Sequence, residues 1–310
     1  MIFSHYSVLL DECIEGLNVK ADGIYVDCTA GGGGHSAKIL EKLNKDGLLI
    51  CIDKDEDALN VCRERLNKAN VRFVHSDFKR LEQILEELEI DGVDGILADL
   101  GVSSYQIDNP DRGFSYMAAD APLDMRMDTS QKLTASEIVN TYGERQLLDI
   151  ILDYGEESFA KNIAKNIVAE RQKHSIDTCG QLVEIIDRSI PYSGRRKGSH
   201  PAKRTFQALR IEVNKELDGL DSFISSAANL LNPQGRLAII TFHSLEDRIV
   251  KRGFNDLATD CVCPPNLPIC VCNHRAKGVL VNKKPILPTE KELQSNSRSQ
   301  SAKLRIFEKK

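Results

Sequence analysis

Four consecutive glycines, Gly31, Gly32, Gly33 and Gly34, join an apolar run to a helix-forming run, and no other stretch restricts the fold as strongly. Ile24, Tyr25 and Val26 lead into Asp27, and the helical pattern opens at His35-Ser36. Glycine reaches backbone angles closed to other residues, and its missing side chain lets a ligand lie against the main chain. A glycine turn from strand to helix therefore builds a nucleotide-type pocket at a helix N-terminus. Two ligand classes compete for it. Gly32-x-Gly34-x-x-Ala37 satisfies a loose dinucleotide fingerprint. A pyrophosphate, however, wants backbone amides and no adjacent carboxylate, whereas Asp27 stands four residues before the first glycine. That acid suits the cationic amino group and sulfonium of S-adenosylmethionine (SAM).

The following strands repeat the pattern. Residues 48–52 end at Asp53, twenty residues beyond Gly33, where an acid accepts hydrogen bonds from ribose hydroxyls. Residues 71–74 are followed by Ser76-Asp77-Phe78, whose ring is a candidate face for adenine, and residues 93–98 end at Asp99. An acid at or just past the end of each of the first four strands fits a class I methyltransferase better than a dehydrogenase. The plain alternative is a glycine turn with surface acids and no ligand. Helices are expected at 36–43, 56–67 and 79–88, the last carrying Leu81, Ile84, Leu85 and Leu88 at helical spacing.

Then the rhythm breaks. Residues 101–128 are rich in Gly, Pro, Asp, Ser and Met without sustained period, and a stretch this long inside a compact protein is usually functional or disordered. Its Arg112, Phe114, Tyr116, Asp124 and Arg126 favour function. Residues 134–190 read as helical throughout, at 135–142, 144–154, 156–172 and 178–188, with capping-box spacing from Thr178 to Gln181. Helices at 206–214 and 220–231, a turn at Pro233-Gln234-Gly235, a strand at 237–242, a helix at 245–254 and a last strand at 302–307 restore the α/β pattern. The expected organisation is an α/β domain over 1–108 and 205–310, the latter with a basic tail, interrupted by a helical insertion at 109–204.

The 310 residues are 41% hydrophobic, enough for a sizeable core, and no stretch approaches the roughly 20 apolar residues that span a bilayer. The N-terminal residues carry no basic segment followed by an apolar run, so no signal peptide is read. Nine cysteines, five of them scattered singly, point to a reducing cytoplasm rather than a disulfide framework. The net charge of −5 argues against a nucleic-acid substrate, but its distribution argues for one. Through residue 100 there are 20 acids and 11 Lys or Arg; from Arg188 to Arg210 there are seven Lys or Arg and no acid; from Asn273 onward ten stand against three acids. Charge segregated in this way can present a basic face to a polyanion.

Taken in order, these segments resemble the bacterial RsmH (MraW) family. The likeness runs through His5-Tyr6-Ser7-Val8-Leu9-Leu10, Gly33-Gly34-His35-Ser36, Asp99-Leu100-Gly101-Val102-Ser103-Ser104, Arg112-Gly113-Phe114-Ser115 and Pro122-Leu123-Asp124-Met125-Arg126-Met127-Asp128. It continues through 200–210, Phe242-His243-Ser244-Leu245-Glu246-Asp247-Arg248 and Ser301-Ala302-Lys303-Leu304-Arg305. It implies a Rossmann-like class I SAM-dependent methyltransferase with a mostly parallel seven-stranded sheet and a helical insert, acting on cytosine N4 in the decoding region of 16S rRNA. It also implies that Gly33, Gly34 and His35 line the methionine end of the cofactor, Asp53 the ribose and Phe78 the adenine, with Asp99 and Gln106 closing the pocket. Tyr105 departs from the family's usual Pro, and Ala121 from a common Gly.

An exocyclic cytosine amine is a poor nucleophile because its lone pair is delocalised into the ring. Acceptors must hold its N–H bonds and align it for in-line attack, and orientation supplies several kcal/mol of the barrier. DNA amino-methyltransferases use Asp/Asn-Pro-Pro-aromatic after the fourth strand, a motif absent here. The candidates are Asp99, a backbone carbonyl of 100–102, Ser103 and Asp124; alternatively Asp99 only binds cofactor and Ser103 only caps a turn. The base must leave its stack, with Phe114, Tyr116 or Phe242 as stacking candidates, and His243 is a candidate contact to base or phosphate. Arg195, Arg196, Lys197, Lys203 and Arg204 are the expected phosphate ligands. The expected partner is 16S rRNA, read by shape within the 30S subunit. A DNA amino-methyltransferase and a non-catalytic assembly factor remain the alternatives. Finally, Cys261-x-Cys263-x6-Cys270-x-Cys272, followed by His274, admits a tetrahedral zinc, a redox-sensitive loop or a structural thiol cluster, and no metal ligand is assigned.

Overall fold

The apolar runs become the strands of one sheet in the computed structural model, which describes residues 7–195, 198, 200–261, 263, 269, 271, 272 and 274–310. The chain divides into two units, Met1–Gly101 with Gly219–Lys310, and Val102–Asp218. The first begins with α1 (Leu10–Leu17), β1 (Ile24–Asp27), α2 (Gly34–Lys42), β2 (Leu48–Asp53), α3 (Glu56–Arg65), β3 (Val71–His75), α4 (Leu81–Glu87) and β4 (Val93–Asp99). The second holds α5 (Ser104–Asp108), α6 (Ala135–Thr141), α7 (Glu144–Asp153), α8 (Ala160–Arg171), α9 (Cys179–Ser189) and α10 (Lys203–Asn214). The first unit then resumes with α11 (Leu220–Leu230), β5 (Leu231–Thr241), α12 (Ser244–Leu257), β6 (Gly278–Leu280), α13 (Glu290–Ser295) and β7 (Lys303–Lys309).

The sheet has seven strands in the order β3-β2-β1-β4-β5-β7-β6. β1 to β5 are mutually parallel and β7 runs antiparallel to both neighbours, so the mostly parallel α/β sheet expected from the sequence is present. Successive strand residues face opposite sides: Val26, Ile50, Ile52, Ile96 and Ile239 join one core with Phe223 and Phe254, whereas Tyr25, Leu49, Cys51, Leu97 and Ile240 join the other with Leu17, Ile39 and Leu59. Burial on both faces is why these strands read as continuous apolar runs rather than alternating ones. From β1 the chain builds β2 and β3 on one side, then crosses to β4 on the other. That reversal opens a crevice at the carboxyl ends of β1 and β4.

The helical unit has its own core, including Leu123, Ile138, Leu147, Ile151, Ile163, Ile167, Leu182 and Ile186. Phe206, Leu209 and Val213 of α10 also pack there, so this helix belongs to the helical unit and not to the α/β part that the sequence reading resumed at 205. The turn expected at Pro233-Gln234-Gly235 is instead a bulge inside β5: Gln234 takes φ 65° and the β4–β5 register shifts between Val93 and Gly95. No helix among the described residues is long and apolar enough to cross a membrane.

Candidate active site

The glycine loop is tied into the strand ends by its own amides. Ala30 N donates to Ile52 O at 2.9 Å, Gly31 N to Asp53 Oδ2 at 2.7 Å and Gly33 N to Ala30 O at 2.8 Å. Gly31 and Gly33 sit at φ 50° and 76°, in the left-handed region that only glycine adopts readily. Among the described residues nothing lies within 4 Å of the place a Gly32 Cβ would occupy, so space opens above the loop. Gly34 starts α2, and His35 Nε2 donates to Val8 O at 2.9 Å, which leaves Nδ1 3.9 Å from Asp99 Oδ2.

Asp27, the acid nearest the loop, is buried and already engaged: Oδ2 accepts from Ser36 Oγ at 2.6 Å and Oδ1 from Thr29 N at 3.2 Å. It braces the turn and the start of α2 rather than facing a ligand with free oxygens. Burial raises its pKa, and His35 and the Ser36 bond oppose that rise. Asp53 Oδ1 accepts from Asp55 N at 2.8 Å, and burial pushes Asp53 up to about 6 against these two backbone bonds. Asp99 differs from both. Its amide donates to Thr29 Oγ1 at 2.7 Å, but Oδ1 is buried with no hydrogen-bond partner among the described residues. Burial pushes Asp99 up to about 7; Asp27 and Glu246 add to the rise and His35 opposes it. Among the described residues no Lys or Arg forms an ion pair with Asp27, Asp53 or Asp99, and the one cationic candidate beside Asp99 is His35. Ser76 Oγ, just past β3, is a second buried polar atom without a partner among the described residues. Phe78 follows it, half-buried and packed edge-on against Phe223, with ring centroids 4.7 Å apart.

Three residues here were not singled out from the sequence. Thr29 ties the end of β4 to the loop after β1, Ser76 offers an unused hydroxyl, and Glu246 contributes charge. Ser76 and Thr29 carried a weak signal, each lying one or two residues past a strand end.

His243, expected to contact substrate, is the N-cap of α12. Its Nδ1 accepts from Glu246 N at 3.4 Å, while Nε2 lies 3.1 Å from Glu246 Oε1. In the helical unit, Ser103 and Gln106 form a capping box on α5: Gln106 N donates to Ser103 Oγ at 3.2 Å and Ser103 N to Gln106 Oε1 at 3.0 Å. Asp124 is clamped by Arg126, Nε to Oδ1 at 2.9 Å and Nη2 to Oδ2 at 2.7 Å, and also accepts from Arg126 N. That fork organises the 122–131 loop, since Arg126 Nη1 also donates to Thr129 O and Gln131 O. Gly113 adopts φ 68°, and a Cβ there would run into Pro122 O, which keeps the two loop segments in close register.

Of the expected phosphate ligands, Arg195 pairs with Asp187 at 2.9 Å, and Arg204 donates to Glu156 O at 2.5 Å. Lys203 is exposed and makes no ion pair among the described residues, and Arg196 and Lys197 lie outside them. Lys203 and Arg204 occupy the first turn of α10, where the helix dipole disfavours cations unless an anion is bound nearby.

A profile of the MraW methylase family matches residues 2–310. "Ribosomal RNA small subunit methyltransferase H 2" of Agathobacter rectalis is 57% identical over 311 residues, spanning 100% of this chain and 99% of the relative. "Ribosomal RNA small subunit methyltransferase H" of Clostridioides difficile is 54% identical over 311 residues, and that of Clostridium botulinum 56% over 310, each spanning 100% of both chains. With family segments running the length of the chain and a glycine loop at the reversal of a mostly parallel sheet, this protein belongs to the MraW methylase family.

Proposed function

We propose that this protein transfers a methyl group from SAM to N4 of a cytosine in 16S rRNA, acting in the cytoplasm on the 30S subunit. The observation that carries the reading is the carboxylate edge at the β1/β4 reversal, where, among the described residues, Asp99 Oδ1 has no hydrogen-bond partner and no Lys or Arg pairs with the acids. A cationic ligand there supplies the missing charge and returns buried carboxyls to their ionised form. A dinucleotide adds negative charge to the same place. The residues fit SAM on that test, and SAM, when bound, supplies the electrophilic methyl.

In this reading Gly33, Gly34 and His35 hold the methionine end, Asp53 accepts from the ribose hydroxyls, Phe78 lies against adenine, and Gln106 and Asp99 complete the set. Asp99 is the favoured acceptor for the cytosine amine. Ser103 and Asp124 keep their candidacy with a handicap, since the one is engaged in a helix cap and the other in the Arg126 fork. Holding the amine N–H aligns its lone pair, and a carboxyl whose pKa lies near neutrality can take the proton once the nitrogen is alkylated. Lys203, Arg204 and Arg195, with Arg196, Lys197 and His243, are the proposed contacts to RNA.

The test is methyl transfer from labelled SAM to 30S subunits lacking the modification, with free 16S rRNA and duplex DNA alongside and product nucleosides resolved by mass. N4-methylated cytidine on 30S alone supports both the reaction and recognition of assembled shape. SAM binding without transfer to any substrate overturns the enzyme reading in favour of a non-catalytic assembly factor, and transfer to duplex DNA overturns the RNA reading.

A further inference from the structure

Methyl transfer leaves the cysteine segment between α12 and β6 unused. Its ends are fastened: Lys277 N donates to Leu257 O at 2.8 Å, and Ala276 N to Asp260 Oδ1 at 3.1 Å. Between these ties, the Sγ atoms of Cys261, Cys263 and Cys272 all lie within 4.8 Å of one another, and Cys272 Sγ stands 3.8 Å from Cys261 Sγ. A tetrahedral zinc with Zn–S bonds of about 2.3 Å holds its sulfurs about 3.8 Å apart. Val271 N donates to Cys263 Sγ at 3.4 Å, a backbone bond that orients this sulfur.

Among the described residues no local core explains the convergence. Cys261 is exposed, and Ile269 and Val271 are 75% and 71% exposed, so the described side chains of this segment include apolar groups facing water rather than packed beneath the sulfurs. Short segments without enough apolar surface to fix their own shape are commonly held by a metal or a disulfide. A disulfide joins two sulfurs only; here three converge.

We propose that Cys261, Cys263 and Cys272 are ligands of a structural zinc ion that pins this segment. The same segment supplies candidates for the fourth position: Cys270, which lies outside the described residues, and His274, whose Nδ1 is buried without a hydrogen-bond partner among the described residues. Three thiolates and one further protein ligand leave no open coordination position, which makes the ion structural rather than catalytic.

The full-length protein is purified in reductant without chelating resin or added metal, and its metal content is measured by inductively coupled plasma mass spectrometry. One zinc per chain, lost in the C261S/C272S double variant and retained in Asp99→Asn, is the expected result. Loss of zinc in Cys270→Ser or His274→Ala also supports the site and identifies the fourth ligand. If the double variant fails to fold, the wild-type chain still decides. Stoichiometric zinc release on mercurial titration, and thiolate-to-cobalt charge-transfer bands after Co²⁺ exchange, support the site. Protein without stoichiometric metal, whose three cysteines are alkylated equally fast with and without a strong chelator, overturns it.

Discussion

Polar side chains at the strand edge of the α/β unit and in the loops of the helical unit are treated in opposite ways. At the edge, Asp99 keeps an oxygen unpartnered among the described residues, and burial pushes its pKa up to about 7. In the helical unit Asp124 is held by two Arg126 bonds and a backbone amide, and Ser103 and Gln106 satisfy each other across a helix cap. A buried acid without a counter-charge weakens the fold, and its place is where a ligand brings that charge. An acid matched to an arginine fork is architecture, even when it stands in a segment as distinctive as 122–128.

Asp99→Asn tests the first half of that contrast and carries the largest expected effect. Loss of a positioned acceptor lowers methyl transfer by about 10³-fold. The unliganded protein should respond the other way. Because the folded pKa lies above the unfolded value of 3.8, the folded state holds the extra proton between about pH 4 and 7, and stability falls as pH rises through that window. The side chain keeps 24% exposure, which screens part of the cost. The substitution should therefore raise stability by about 2–4 kcal/mol at pH 8 and leave it little changed at pH 4. Urea unfolding at both pH values checks this; a destabilised variant at pH 8 breaks the contrast.

The same proton governs cofactor affinity. Binding a cation favours ionised Asp99, so SAM should bind more weakly as pH falls below about 7, approaching tenfold per pH unit, with Asp53 adding a second inflection near 6. Calorimetric titration from pH 5.5 to 8.5 measures it. In Asp99→Asn the upper inflection should vanish, and its persistence would reassign the titration to another group.

In the helical unit the expected effects are structural. Asp124→Asn leaves Arg126 without its fork, and with both side chains about a fifth exposed the cost is about 2 kcal/mol. Ser103→Ala removes the cap of α5 at about 1 kcal/mol. Both should unfold at lower urea, and SAM affinity should stay near the wild-type value in Asp124→Asn. If Asp124→Asn keeps its stability and loses methyl transfer, Asp124 belongs with Asp99 and the two regions are not opposites.

Which parts of this contrast were readable in advance follows from where the determinants lie. The strand edge was legible because a parallel sheet buried on both faces writes each strand as an apolar run, and its terminal acid is then conspicuous. Asp27 was legible as a position but not as a brace, since its engagement by Ser36 and Thr29 depends on how the loop closes. The Arg126 fork and the Ser103–Gln106 box are local, within three residues, yet hydrogen-bonding residues in a loop read equally well as ligands. β6 was missed because three residues carry no period, and α1 because its eight residues make little more than two turns. The α10 boundary was misplaced because an apolar helical face does not announce which core it packs into.

The smallest expected effect carries the contrast into RNA binding. Lys203 is the one described cation of the proposed phosphate set that is exposed and outside any ion pair among the described residues, whereas Arg195 is matched by Asp187 and Arg204 by Glu156 O. A lysine that neutralises one phosphate releases condensed counterions, so Lys203→Ala should lower the slope of log affinity against log salt by about 0.7 to 0.9. Arg195→Ala should change the slope less, because that guanidinium already has its carboxylate. It should instead loosen the segment after α9, seen as faster amide exchange near Asp187. Filter binding to 30S subunits across a salt series separates the two. Equal slope changes would mean that Arg195 leaves Asp187 to meet the phosphate, and the pairing seen in the unbound protein would then be the resting place of a mobile ligand rather than part of the frame.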